Sequence, residues 1–344
     1  MKDDAGNQSS GPCAADQDDS PYIMDITNSH LHSLSDTVVI PTCVRQLDLT
    51  ANRLEDIEDC VLQLEHLEIL SFRQNLLKDA SKISLLKNAE NMKSLELRDN
   101  QLEELPDLSR FGKLEYLELS YNVLRNMARL GDMGHAHSHH PLRELYLANN
   151  KIKVIEGLEC FGGHLEQLEL GSNRIKSMHG LESLSQLKSL WLGSNRIETI
   201  DISMTCFRSK LKQISLQSNR LTSMHGLEEC EALEEIYVSD NGITELCRLD
   251  SLKQLKVLDV SRNRLRHVDG VGQLPMLTDL WANNNCIENL DEVERELQGL
   301  KDSLQVLYLN NNPFMENQGQ AYKLRMVHVL PNLEQLDDVL VQRN

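Results

Sequence analysis

The sequence predicts an α/β solenoid: a curved stack of short coils, with parallel strands on a concave inner wall and turns, 3₁₀ segments or short helices on the convex outer one. Three observations carry this. The pattern LxxLxLxxN recurs along most of the 344 residues, as in LRELYLANN ending at Asn150, LEQLELGSN at Asn173 and LKSLWLGSN at Asn195. Successive asparagines most often stand one short, constant step apart, as Asn173 and Asn195 do, and a fixed internal period decides an architecture before any finer reading. Aromatic residues make up only 4% of the chain, so the apolar share rests on Leu and Ile, which suit thin stacked layers better than a core built on large rings.

Residues 1–20 hold five Asp, one Lys and small polar residues, too little apolar surface to offset chain entropy, and are expected to be a disordered acidic tail. Residues 21–41 read as an N-terminal capping repeat, a degenerate coil in which Ser29 stands one period before Asn52, where an asparagine is expected. About twelve leucine-rich repeats follow over 42–312. In each, strand alternation turns two apolar residues inward and the one between them outward, as with Leu145, Tyr146 and Leu147. The asparagines Asn52, Asn75, Asn100, Asn122, Asn150, Asn173, Asn195, Asn219, Asn241, Asn263, Asn285 and Asn312 end the strands. A carboxamide carries both donor and acceptor, so these side chains are expected to form a ladder that satisfies backbone groups freed at each turn. A second apolar set, as in NRIKSMHGLESL after Asn173, packs the return path.

Two steps are longer than the rest. The chain between Asn122 and Asn150 includes GDMGHAHSHHP, and that between Asn285 and Asn312 includes DEVERELQGLKDS, which reads as an amphipathic helix. Residues 313–344 leave the period and show helical spacing at Tyr322, Met326 and Val329 before Pro331, a C-terminal cap folded over the last coil.

A formal net charge of −18 disfavours nucleic acid and anionic membrane as partners and favours a basic protein surface. No apolar run is long enough to span a bilayer, and the start MKDDAGNQSSGP lacks the apolar stretch of a secretory signal, so an intracellular location is expected. The eight cysteines are scattered singly, and Cys160 and Cys230 fall at apolar repeat positions, as small buried hydrophobes would. The tract His135, His137, His139 and His140 reads as a loop tip grown on one coil edge, not as a metal site. His179 and His225 recur in two copies of SMHGLE and belong to the repeat. No GxSxG, HExxH, P-loop or GxGxxG motif is present, so we expect no catalytic residues, no cofactor and no metal.

The outward position between the two inward apolar residues is where function is expected. From the first full repeat onward it holds Asp48, Ser71, Glu96, Glu118, Tyr146, Glu169, Trp191, Ser215, Tyr237, Asp259, Trp281 and Tyr308. Both tryptophans of the chain and three of its seven tyrosines lie in this row. Rings interleaved with carboxylates on a surface otherwise open to water suggest partner binding, the rings supplying affinity and the acids selecting a basic client.

The words LELGSNRI (168–175), LQSNRLTSMHGLE (216–228), IYVSDNGI (236–243) and LDVSRNRL (258–265), with the closing cap, resemble the leucine-rich-repeat regulatory subunit of protein phosphatase 1 over residues 21–344. The resemblance implies a non-catalytic subunit that holds the phosphatase catalytic subunit on its concave face and controls its activity, maturation or targeting. It places the contacts at Glu118, Tyr146, Glu169, Trp191, Asp259, Asp279, Trp281 and Tyr308; the ring of Tyr237 joins them from the bottom-up row. It also implies a small phosphatase inhibitor as third partner and a nuclear and cytoplasmic location. Members of that family commonly carry Phe where this chain has Tyr146 and Trp191, and the histidine-bearing insertion departs from their compact pattern. The alternative reading is another intracellular repeat adaptor, of the ciliary, dynein-associated or spliceosomal kind.

Overall fold

The computed structural model describes residues 22–35, 38–134, 140–202, 206–246, 248–319 and 321–342. The acidic segment 1–20 and His135, His137 and His139 lie outside them.

Among the described residues, fifteen short strands form one open sheet in strict chain order. They are β1 (Ile23–Asp25), β2 (Gln46–Asp48), β3 (Ile69–Ser71), β4 (Ser94–Glu96), β5 (Tyr116–Glu118), β6 (Glu144–Tyr146), β7 (Gln167–Glu169) and β8 (Ser189–Trp191). The second half adds β9 (Gln213–Ser215), β10 (Glu235–Tyr237), β11 (Val257–Asp259), β12 (Asp279–Trp281), β13 (Val306–Tyr308), β14 (Gln335–Leu336) and β15 (Val339–Leu340). All neighbours run parallel except β14 and β15, which make a closing antiparallel pair. The architecture is the leucine-rich-repeat solenoid that the period predicts.

A strand of three residues cannot bury itself, and the stack solves this coil by coil. The inward pairs, such as Leu145 with Leu147 and Leu190 with Leu192, are fully buried in one continuous apolar core. The outer wall closes the core from the other side with 3₁₀ turns such as Ser81–Leu85 and Glu159–Phe161, burying Ile83 and Phe161. The extended step before Asn312 forms the helix Leu290–Leu297, started by Asn289, whose side chain accepts from the Asp291 and Glu292 N–H groups.

Each asparagine of the ladder makes the same bonds. Asn195 Nδ2 donates to the carbonyls of Leu170 (2.9 Å) and Leu192 (3.0 Å), while its Oδ1 accepts from Ile175 N–H (3.0 Å). Equivalent donations across the coil boundary run from Asn52 to Asn312. At the C-terminal end a carboxylate takes over. Asp337 Oδ1 accepts from Leu309 N–H (2.8 Å) and Asn310 N–H (3.0 Å), and the buried Tyr322 hydroxyl donates to its other oxygen. Tyr322 and Met326 lie in the helix Ala321–Val329 and are fully buried. Arg325 of that helix ties it to Glu294 and Asp291.

One expectation is corrected here. His140 is a core residue and not part of a loop tip: it is fully buried, and its ring meets Phe161 edge-on with centroids 5.4 Å apart. Its Nδ1 accepts from Leu142 N–H (3.2 Å), which leaves Nε2 to donate to the Phe111 carbonyl (2.8 Å). Both ring nitrogens find backbone partners, so burying the imidazole leaves no polar group unsatisfied.

Along the flank where the strands begin, glutamates bridge cations of the coils on either side. Glu68 joins Arg45 (2.7 Å) and Lys93 (2.6 Å), Glu166 joins Arg143 (3.2 Å) and Lys188 (2.6 Å), and Glu234 joins Lys212 (2.9 Å) and Lys256 (2.6 Å). Exposed pairs contribute little singly, but these repeat in register with the stack.

Replacing Asn195 by Ala strands two carbonyls and one N–H inside the stack, at a cost of about 3 kcal/mol. Because coils contact only their neighbours, the break also uncouples the halves of the solenoid. Urea denaturation is expected to show a lower midpoint and a broader, less cooperative transition; an unchanged midpoint would refute the ladder's energetic role.

Candidate partner-binding face

Strand alternation and unbroken register place the outward residues in one row. Cα partners run Asp48, Ser71, Glu96, Glu118, Tyr146, Glu169, Trp191 and Ser215, then Tyr237, Asp259, Trp281 and Tyr308. The eight residues other than Ser71, Glu118, Ser215 and Asp259 are half-buried, including both indoles. Those four are buried, because larger neighbours lean over them.

Two ring clusters result. In the C-terminal one the Tyr237 and Trp281 centroids lie 6.4 Å apart although their strands flank β11, so the rings close over Asp259, which is only 6% exposed. Tyr308 adds an edge contact to Trp281 at 6.1 Å, and Gln335 donates to the Tyr308 hydroxyl (2.6 Å). The Trp281 indole N–H is buried and has no hydrogen-bond partner among the described residues. Asp259 accepts from Ser261, and Asp279, at the start of β12, accepts from Thr278 (2.6 Å).

The central cluster joins Tyr116 and Tyr146, with centroids 5.4 Å apart. The Tyr146 hydroxyl donates to Glu144 (2.7 Å) or Gln167 (3.0 Å). Glu118, 4% exposed, accepts from Ser120 N–H (2.8 Å) and faces Arg98 at 3.5 Å. Trp191 stands between the clusters, flanked by Glu169 and Ser215. Tyr116 was not among the residues singled out from sequence. It sits two residues before the central position, and the same alternation that exposes the centre exposes this row too, with Glu144, Gln167, Glu235 and Asp279 as its members.

Crowding perturbs the acids. Burial raises the Glu169 carboxyl pKa, and the Glu118 charge pushes in the same direction. Burial also raises Glu96, against the pull of Arg73. The Tyr237 phenol is pushed up to about 12 by burial and by Glu235, so it stays a protonated donor at neutral pH. The face thus holds carboxylates that lack full compensation and rings that are only partly covered, an arrangement suited to a cationic, ring-accepting partner.

Residues 135–238 and 230–344 match the family described as "Leucine-rich repeat". Over 324 residues, covering 94% of this chain and 95% of the relative, the chain is 42% identical to the "Protein phosphatase 1 regulatory inhibitor subunit PPP1R7 homolog" of Arabidopsis thaliana. A shorter match of 34% identity, over 20% of this chain and 21% of the relative, is to "Protein phosphatase 1 regulatory subunit SDS22" of Schizosaccharomyces pombe. Among solved structures, a leucine-rich-repeat protein of Leptospira interrogans superposes with a TM-score of 0.74 at 26% identity, over 86% of this chain and 72% of that one.

Glu169 on the concave face and Glu166 on the flank should respond oppositely to loss of charge. The Glu169 pKa is raised in the folded chain, so its contribution is most favourable at acid pH and is lost as pH rises through the folded value. The Glu166 pKa is lowered, first by its bond from Lys188, so its contribution is present above the unfolded value and lost as pH falls through the folded one. In thermal melts at pH 7, Glu169→Gln should raise the midpoint and Glu166→Gln lower it, each by roughly 1–3 °C. Both differences should shrink at pH 4, and shifts of the same sign at pH 7 would contradict this assignment.

Proposed function

The chain belongs to the leucine-rich-repeat regulatory subunits of protein phosphatase 1, and on that premise we propose that its concave face seats the phosphatase catalytic subunit. The observation that carries the reading is the single register row in which half-buried rings alternate with carboxylates. Tyr237, Trp281 and Tyr308, with Asp259 beneath and Asp279 beside them, form the anchor; Tyr146, Glu118 and Glu169 form the second contact, and Trp191 bridges the two. A basic client surface relieves the Glu169 and Glu96 charges that crowding penalises, so stability given up by the free subunit returns as affinity on binding.

In this proposal the subunit is non-catalytic and regulates by holding and positioning the enzyme. A small inhibitor protein completes the complex, and the assembly works in nucleus and cytoplasm. The coil over 21–41 and the cap over 313–344 serve as end pieces to the binding repeats.

Purified Trp281→Ala and Trp191→Ala variants should each lose about 2 kcal/mol of phosphatase affinity, roughly 30-fold in Kd, with unchanged circular dichroism. Glu169→Gln should lose affinity while gaining thermal stability. Titrations in which both tryptophan variants bind like the parent would reject the concave face as the seat and favour a different adaptor role.

A further inference from the structure

The residue after each ladder asparagine leaves the concave rim and lies on the opposite flank from the strand-start glutamates. Its backbone N–H donates to the preceding coil: Lys151 to Leu124 (2.8 Å), Arg174 to Ile152 (2.8 Å), Arg196 to Ile175 (2.8 Å) and Arg220 to Ile197 (2.9 Å). These four are therefore consecutive rungs. Two residues past the rung position of their own coils, beyond an inward Leu or Ile, Arg125, Lys153 and Lys176 are exposed on the same flank.

The two flanks treat cations differently. On the strand-start side Arg45, Lys93, Arg143, Lys188, Lys212 and Lys256 are all held by glutamates. On the rung side Arg220 meets Glu198 at 3.6 Å, with both side chains more than half exposed. Among the described residues Arg125, Lys151, Lys153, Arg174, Lys176 and Arg196 have no carboxylate within ion-pair distance. Six uncompensated cations on consecutive coils form a local positive stripe on a chain whose net charge is −18.

We propose that this stripe is a second interaction surface, which binds an extended Asp/Glu-rich segment of a partner protein. Rungs spaced by about 4.8 Å give the Lys151–Arg220 row a length of about 14 Å, which an extended peptide of four or five residues spans. The rim between stripe and concave wall carries Gly171, Ser172, Gly193 and Ser194, so little side-chain bulk separates the two surfaces. The overall charge of −18 repels any polyanion at long range, so the contact is a short-range one; the exposed ring on the rim of the Arg125 coil, Tyr121, is already covered by the Arg98 guanidinium 4.4 Å from its centroid and is not a free platform for base stacking. Charge complementarity favours an acidic peptide, whose binding is independent of what occupies the concave face.

The test is fluorescence anisotropy of a labelled polyglutamate decapeptide with the full chain, at low and at physiological salt. Binding that weakens about tenfold or more in Arg174→Glu/Lys176→Glu/Arg196→Glu, and weakens with added salt, supports the proposal. Binding should be retained in Trp281→Ala, which separates this surface from the proposed phosphatase seat. The neutral triple Arg174→Gln/Lys176→Gln/Arg196→Gln should fall between parent and reversal, and all variants should keep the parent melting temperature within about 2 °C. Equal peptide affinity of parent and charge-reversed chain overturns the proposal. So does tighter binding of a single-stranded DNA decamer, which would make the stripe a nucleic-acid site. Peptide binding that appears only when residues 1–21 are deleted also overturns it, since the stripe would then be occupied by the chain's own acidic segment.

Discussion

So short a coil, whose strand is only three residues long, cannot satisfy its own backbone, and every other property of this protein follows from how that deficit is met. The asparagine carboxamide supplies it from inside, donating to the carbonyls of its own and the preceding coil and accepting from an N–H of the latter. To aim the carboxamide inward, the chain enters the left-handed region one residue earlier. Ala51, Asp99, Tyr121 and Arg262 all do so, with φ between +52° and +59°. For residues with a Cβ this costs on the order of 1 kcal/mol each. It persists because the N–H at that position is paired with the next coil, as Tyr121 is with Ala148 at 2.7 Å. Local strain and long-range pairing are thus two sides of one turn.

That turn makes the concave wall rigid enough to carry a pattern. With register unbroken from β1 to β13, a residue chosen on one coil has a fixed neighbour on the next, and side chains too large for the strand spacing must lean. The rings of Tyr237 and Trp281 lean over Asp259, and those of Tyr116 and Tyr146 lean toward each other. Burial of acids on this face is a by-product of the rings beside them. On the strand-start flank the same regular spacing sets glutamates against lysines and arginines, so one geometry yields strained charges on one surface and satisfied ones on another.

Much of this was legible in the sequence. The period announces the stack, and the alternation within LxL tells inward from outward, so the row from Asp48 to Tyr308 can be written down before any coordinates exist. Tyr116 escaped because attention to the centre of the strand hides the equally outward position two residues earlier. His140 escaped for a different reason: a run of histidines looks polar and loose, and nothing in the letters reveals that a carbonyl of Phe111, far upstream in the chain, needs a donor. The contrast between paired and unpaired basic residues was also invisible, since Lys188 and Lys176 differ only in which coil edge they occupy. Pairwise partners across coils depend on where each turn places its flank, and periodicity alone does not specify that.

The lengthened step from Asn122 to Asn150 leaves no trace on the inner wall. Glu118 and Tyr146 are register partners like any others, and the described part of the longer connection forms the 3₁₀ segment Ala128–Gly134 outside the sheet. Chain length and recognition are therefore independent variables in this architecture. The outer circumference can accumulate insertions, and evolve new attachments there, while the inner surface continues to present an unaltered alphabet to whatever it reads.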